Sequence, residues 1–364
     1  MRAEDQPNIE SGLRNLLIRC ARLEVGQSVL LVGESGEKPY FESTLVEAAS
    51  RVAQQLGLIV DSISEEPVSG ADDFPPVVAN AMQSADVTIF FSRLGDQVRF
   101  SDAPGSSVKV MCYATTAEYF AAPFATVDHC SMKHIHDLLI DRLLSATTYR
   151  ITAPCGTDLF GEIDNEGVTW SGATTEFQVE QFPMMIFPPI NTHHLNGTLV
   201  IDRFVTSSST RAYDDSTLRI DTPIVATLED SRVVDLKGKS GLVDALTVQL
   251  ERAARLTGGD PRSINSWHTG INPGTFFHQD PYKDLEYWGT VTFGSPRYTH
   301  FHGAGHDPGD IAYHLMDATI SFDGESYWEN GHFVFLDRPE VQDALPPGDR
   351  TYLNAGANQD IGIR

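Results

Sequence analysis

The chain has 364 residues, long for one domain and comfortable for two, with 41% hydrophobic residues and a formal net charge of −24. That composition predicts packed cores rather than disorder, and the acidic balance argues against nucleic acid and anionic membrane surfaces, which are bound by basic patches. The four cysteines, Cys20, Cys112, Cys130 and Cys155, form no CxxC pair, and no apolar run reaches the ~20 residues a membrane-spanning helix needs, so the expectation is a soluble, cytoplasmic protein with free thiols.

The N-terminal part alternates helix and strand. Leu13, Leu16, Leu17 and Cys20 share one face of a helix predicted over Ile9–Leu23. Gln27–Gly33 (QSVLLVG) reads as a buried strand, and Phe41–Leu56 as an amphipathic helix with Leu45, Ala48, Ala49 and Val52 inward. Strands are predicted at Leu58–Ile63, Asp86–Ser92 and Val108–Tyr113, with a short helix at Pro75–Ser84. This alternation implies right-handed crossovers and a parallel sheet. The segment after Gly33 lacks the GxxxxGK[ST] order of a phosphate loop, and no GxGxxG is present, which excludes those two nucleotide motifs.

Met132–Tyr149 reads as a helix whose His134 and His136, two apart, point to different sides. Beyond it the character changes. Thr169–Gln178 alternates, His193 and His194 precede a predicted Asn196-Gly197 turn as loop residues, and Ser216–Gly238 reads as antiparallel strands around a Glu229–Asp230–Ser231 turn. Leu242–Leu256 is a predicted helix, followed by a stretch expected to be mostly strand and loop. The reading is therefore an α/β domain with a parallel sheet over 1–150 and a mainly antiparallel α+β domain over 151–364.

Seven of the twelve histidines fall between His268 and His332. On a strand Ser266 and His268 share a face, as do His300 and His302. His306, Asp307 and Asp310 follow in a Gly/Pro loop, and His314 and Asp317 flank Leu315 and Met316. Two imidazoles and a carboxylate suit a non-haem ferrous ion with open positions, and His268, His314 and Asp317 can supply them, with His300 and His302 in reserve. The alternative keeps these histidines as structural side chains of Gly-rich loops. Trp267, Tyr287, Trp288, Tyr298 and Tyr313 either wall an aromatic pocket or fill the core.

The segments GQSVLLVG and LGLIVDSI, then Asn196-GTLVID, GINPG, DLEYWGTVTFG and His314…Asp317-ATISFDG make the chain similar, in order and over most of its length, to the aminopeptidase T family of metallopeptidases. The same superfamily includes the 2,5-dihydroxypyridine dioxygenases, mononuclear Fe(II) enzymes that open a hydroxylated pyridine ring. The resemblance implies an aminopeptidase T-like fold and a homodimer. Departures sit at the peptidase ligand positions: Met184 or Met185 and Ser266 stand where glutamates are expected, Thr292 where a histidine is, and the closing His-x-Asp becomes His314-Leu-Met-Asp317. Methionine and threonine cannot replace carboxylate and imidazole, so a dinuclear peptidase site is disfavoured.

Three readings follow. In the first, one divalent metal, Fe(II) before Zn, is held by His268, His314 and Asp317, with His300 or His302 as acid/base, acting on a small aromatic, heteroaromatic or peptide-derived substrate. In the second, the fold is a metal-free protein that binds a peptide or partner. In the third, it is a true aminopeptidase.

Overall fold

The computed structural model describes residues 8–70, 73–98, 108–164, 179–208, 215–305, 309–355 and 359–363. The Thr169–Gln178 alternation and the loop residues His306 and Asp307 lie outside them. Two compact units are present: Met1–His134 with Ser171–Met185 and Leu345–Gly356, and Ile135–Trp170 with Ile186–Ala344 and Ala357–Arg364. They are interleaved along the chain rather than divided at one position. Among the described residues no helix is long and apolar enough to cross a membrane, and all four cysteines are free.

The first unit is built on five strands: β1 (Ser28–Glu34), β2 (Ile59–Glu65), β3 (Val87–Phe91), β4 (Val108–Cys112) and, far along the chain, β7 (Val179–Phe182). All pairings are parallel, in the order β2-β1-β3-β4-β7. Central β3 is buried throughout, as its unbroken apolar run VTIFF dictates. Edge strand β2 is mostly exposed or half-exposed. The helix Thr44–Gln55 turns Leu45, Ala48, Ala49 and Val52 inward, as its 3.6-residue spacing predicts. At the N-terminus, helical backbone over Glu10–Arg14 widens to a π-helix over Asn15–Cys20 and still buries Leu13, Leu16, Leu17 and Cys20.

The second unit holds a thirteen-stranded sheet, every recorded pairing of which is antiparallel. Its strands are β5 (Thr148–Thr152), β6 (Asp158–Glu162), β8 (Ile190–Asn191), β9 (His193–Ile201), β10 (Phe204–Ser207), β11 (Leu218–Arg219), β12 (Ile224–Glu229), β13 (Arg232–Lys237), β14 (Asp260–Thr269), β15 (Tyr298–Gly305), β16 (Ile311–Met316), β17 (Thr319–Phe322) and β18 (Glu325–Trp328). The β12–β13 hairpin turns at Asp230 and Ser231, both at positive φ, as the primed turns matching strand twist require. The helix Ser240–Thr257 ends at Gly258, whose φ of 77° is the left-handed cap glycine tolerates.

Three local expectations are corrected. The helix His129–Ser145 stops short of Tyr149, because Thr148–Thr152 pairs with β6 and β17. DLEYWGTVT is a helix, Leu285–Thr292, not strand: the Asp284 side chain accepts from the Tyr287 N–H at 2.9 Å and caps its first turn. His193 and His194 begin strand β9 rather than sit in a loop, with Asn196-Gly197 inside the strand, and their rings face Asp164 (3.7 Å) and Asp230 (2.7 Å).

Candidate metal centre

Register does the assembling. In the antiparallel ladder His268 on β14 is directly opposite His300 on β15, and His300 directly opposite His314 on β16. Directly opposed residues project from the same face with Cβ atoms about 5 Å apart. The three imidazoles therefore form a row across three strands. Side chains alternate faces along a strand, so Tyr298, His300 and His302 of β15 also share this face. Trp267 and Phe301 project from the other face, where Trp267 meets Tyr149, Phe187 and Phe322. One face of the sheet is apolar core, and the other carries buried imidazoles.

His268, His300 and His302 each offer a ligand atom within 4.8 Å of the others, and all three are buried. Their ring centroids lie 4.1, 5.2 and 4.9 Å apart. The Nε2 atoms of His268 and His302 approach to 3.2 Å. Two nitrogens bound to one ion at ordinary metal–imidazole distances lie about 2.9–3.4 Å from each other, so the pair is at ligand spacing. The tautomer of His268 is fixed: its Nδ1 is 3.3 Å from the Phe187 carbonyl, which can only accept. Nδ1 therefore carries the proton, leaving Nε2 as a lone pair toward His302, the arrangement ligating histidines use. Nδ1 of His300 and of His302 is buried with no hydrogen-bond partner among the described residues, so each of these two candidate ligands keeps an orphaned ring atom.

Burial sets the protonation states. Desolvation holds His302 down at about 4. It holds His300 well below the usual imidazole value, helped by the neighbouring His268, His302 and His314. At neutral pH these rings are uncharged, the form that binds metal.

His314 and Asp317 do not join the group. Thr206 Oγ1 and Tyr298 Oη lie 3.0 and 2.5 Å from the His314 nitrogens Nε2 and Nδ1, so both ring edges are already engaged. Asp317 has turned out of the strand at φ 53° and takes a two-point ion pair from Arg297, at 2.7 and 3.0 Å. Among the described residues the three brought within ligand reach of one another are His268, His300 and His302, while His314 and Asp317 of the expected set take other partners. The two residues expected to act as acid/base stand beside His268 as potential ligands. The signal was present in the sequence as the i, i+2 spacing of His300 and His302; the His268–His300 register was not.

The residues standing where the resemblance expects peptidase ligands are packed into the structure. Met184, Met185 and Ser266 are buried, and Thr292 Oγ1 donates to the Trp288 carbonyl at 2.7 Å within its own helix. Asp310 is buried at the foot of β16, its N–H donating to Gly303. Of the aromatic residues considered for a pocket, Trp267 and Tyr313 lie on the opposite face, whereas Trp288 and Tyr298 pack beside His314.

No protein-family profile matches the chain, and neither does any curated protein. Among solved structures it is similar to 2,5-dihydroxypyridine dioxygenase from Pseudomonas putida KT2440, with 14% identity over 92% of this chain and 97% of that one, and a TM-score of 0.56. That likeness is one of fold. Partial overlaps with a Bacillus subtilis ureidoglycine-glyoxylate aminotransferase (11% identity, 32% of this chain and 31% of that one, TM-score 0.20) and a Thermomonospora curvata fatty acid transporter substrate-binding protein (15% identity, 37% and 39%, TM-score 0.22) carry no argument.

Proposed function

We propose that the chain is a mononuclear metal-dependent enzyme of oxygenase type, its ion held by His268, His300 and His302, acting on a small aromatic or heteroaromatic substrate. The observation that carries this reading is the meeting of three buried imidazoles on one sheet face, two of them with nitrogens at ligand spacing. The fold shared with a dihydroxypyridine dioxygenase supports the reaction class. Imidazole suits iron, zinc and copper alike, but zinc has no redox chemistry, so an oxygenase reading favours Fe(II). Bound there with three protein ligands, the ion supplies a Lewis-acid and redox centre with positions open to exogenous ligands. The chain's own contribution is to keep three lone pairs unprotonated and converging, to fix His268 through the Phe187 carbonyl, and to keep bulk water away by burial. Phe293 and Tyr298 pack on His300, with Phe204 on His314 and Trp288 on Tyr298 behind them. The descent from an aminopeptidase T-like ancestor belongs to the same proposal, as do the cytoplasmic location and the homodimer.

The test is metal content by elemental analysis after anaerobic reconstitution, with oxygen uptake measured across hydroxylated pyridines and catechols. Less than about a tenth of an equivalent of metal per chain ends the reading, since a structural or catalytic site of this kind binds far above that level. A metal-free binding protein is the second reading. Its support is that the 3.2 Å His268–His302 contact is also a sound N–H···N hydrogen bond when His302 carries its proton on Nε2.

A further inference from the structure

A ligating histidine is normally held in orientation by a hydrogen bond from its second ring nitrogen. His268 has one, to Phe187. His300, the middle ring of the three, has none at Nδ1 among the described residues. Beside the other two imidazoles and an edge-on Phe293 at 6.4 Å, the ring stacked on it is Tyr298, two residues earlier on the same strand face, at 5.2 Å between centroids and 29° between planes.

Tyr298 is itself held by a chain of polar contacts whose direction can be read off. Thr206 Oγ1 donates its single proton to the Ser207 carbonyl at 3.0 Å. It must then accept from His314, so Nε2 of His314 carries the hydrogen. Neutral imidazole has one N–H, so Nδ1 of His314 is a lone pair, and the Tyr298 hydroxyl donates to it. Trp288 packs on Tyr298 at 5.0 Å and Phe204 on His314 at 4.5 Å, closing the remaining sides.

We propose that Tyr298 and His314, anchored through Thr206, are positioning residues for the metal centre: the hydrogen-bonded pair fixes the Tyr298 ring, and that ring, by stacking, sets the plane in which His300 presents its lone pair. The assignment rests on the proposed metal site and adds to it a role for His314 other than ligation. It also accounts for a buried histidine with both nitrogens engaged, placed in the same cross-strand row as two ligands.

The experiment uses the full chain loaded with Co(II), reading the visible ligand-field spectrum and the metal dissociation constant by chelator competition. Tyr298→Phe keeps the ring and deletes the hydroxyl; His314→Gln deletes the acceptor. Each is expected to bind one metal per chain, with affinity weakened roughly 10-fold or more and the spectrum shifted, as loss of an orienting partner does elsewhere. The double variant is expected to be no worse than the poorer single one, because the two act as a unit. Trp267→Phe, on the opposite face, lowers stability and is expected to leave spectrum and affinity unchanged, which separates orientation from general loosening. Tyr298→Phe or His314→Gln with wild-type spectrum and affinity overturns the inference while leaving the metal site standing. If Tyr298→Phe does not fold, His314→Gln decides alone. Wild-type protein that takes up no Co(II) overturns both this inference and the metal reading.

Discussion

Two histidines and one aspartate, set close together in sequence, divide sharply in environment. His300 faces His268 and His302 with an unsatisfied nitrogen, whereas His314 and Asp317 have their polar atoms occupied. The division makes opposed predictions for substitution. Alanine at His268, His300 or His302 is expected to abolish stoichiometric metal binding. Asp317→Asn, which keeps a residue tolerant of φ 53°, is expected to leave metal content intact and to cost about 1–3 kcal/mol in urea unfolding, because the half-buried Arg297 guanidinium loses its charged acceptor. Loss of metal from Asp317→Asn with unchanged stability restores the aspartate as a ligand. The same histidines set a pH dependence. His129, His302 and His314 are held at about 4, 4 and 3, below the ordinary imidazole value of about 6.5 that applies once the chain unfolds. The unfolded chain therefore binds more protons between pH 6.5 and 4. Stability is full above that window and falls as pH drops through it, by up to ~1.4 kcal/mol per pH unit for each such histidine. Equilibrium unfolding of the metal-free protein at pH 7.5, 6 and 5 checks it; a flat profile counts against burial of these rings.

At the scale of elements, sequence pattern reached as far as local physics does. Strands β1, β3 and β4 were legible because central parallel strands read as short apolar runs between glycines and helices. The helix Leu285–Thr292 was not, since TVTFG has strand composition and only the Asp284 cap, a geometric feature, tips it. The join of β7 to β4 and the opposition of His268 to His300 were also out of reach, because each pairs residues separated by tens of positions. So the histidines could be chosen as candidates, but not grouped. One element-level constraint was half legible: Gly270, in the GINPG motif. A Cβ there lies 2.2 Å from the backbone of Gly294 and Ser295, the segment that leads into β15. Gly270→Ala is expected to destabilise by at least ~2 kcal/mol, since neither backbone can yield without moving a ligand strand. It is also expected to lower metal affinity more than Gly241→Ala, near the exposed start of the helix Ser240–Thr257 with open space around it. Equal effects of the two substitutions in chemical unfolding and metal competition argue that the close approach does not govern the site.

For the whole molecule the dominant sequence quantity is charge, −24 over 364 residues. Charge of one sign repels itself and opposes the compact state. Against it stand ion pairs of two kinds. Those such as Arg14–Glu10 and Arg150–Asp158 are exposed, and such pairs contribute little. The Arg93–Glu34 pair is different: Glu34 is buried and accepts from Arg93 and from the Tyr40 N–H, with the Arg93 guanidinium over the Tyr40 ring at 3.9 Å. Salt screens long-range repulsion and exposed pairs but reaches a buried pair poorly. Raising NaCl from about 10 to about 150 mM shortens the screening length from ~30 to ~8 Å, so the net effect is relief of repulsion. The melting temperature is therefore expected to rise by a few degrees over that range and then level off. A fall instead means that surface ion pairs outweigh net repulsion. The same excess of acid bears on the site: it lowers the electrostatic cost of bringing a cation to candidate ligands that are imidazoles rather than carboxylates. Metal affinity is expected to weaken across the same salt series even as the fold firms up. Titrating Co(II) at each salt concentration separates the two trends, and parallel gains in both would mean that the net charge of the chain plays no part in holding the ion.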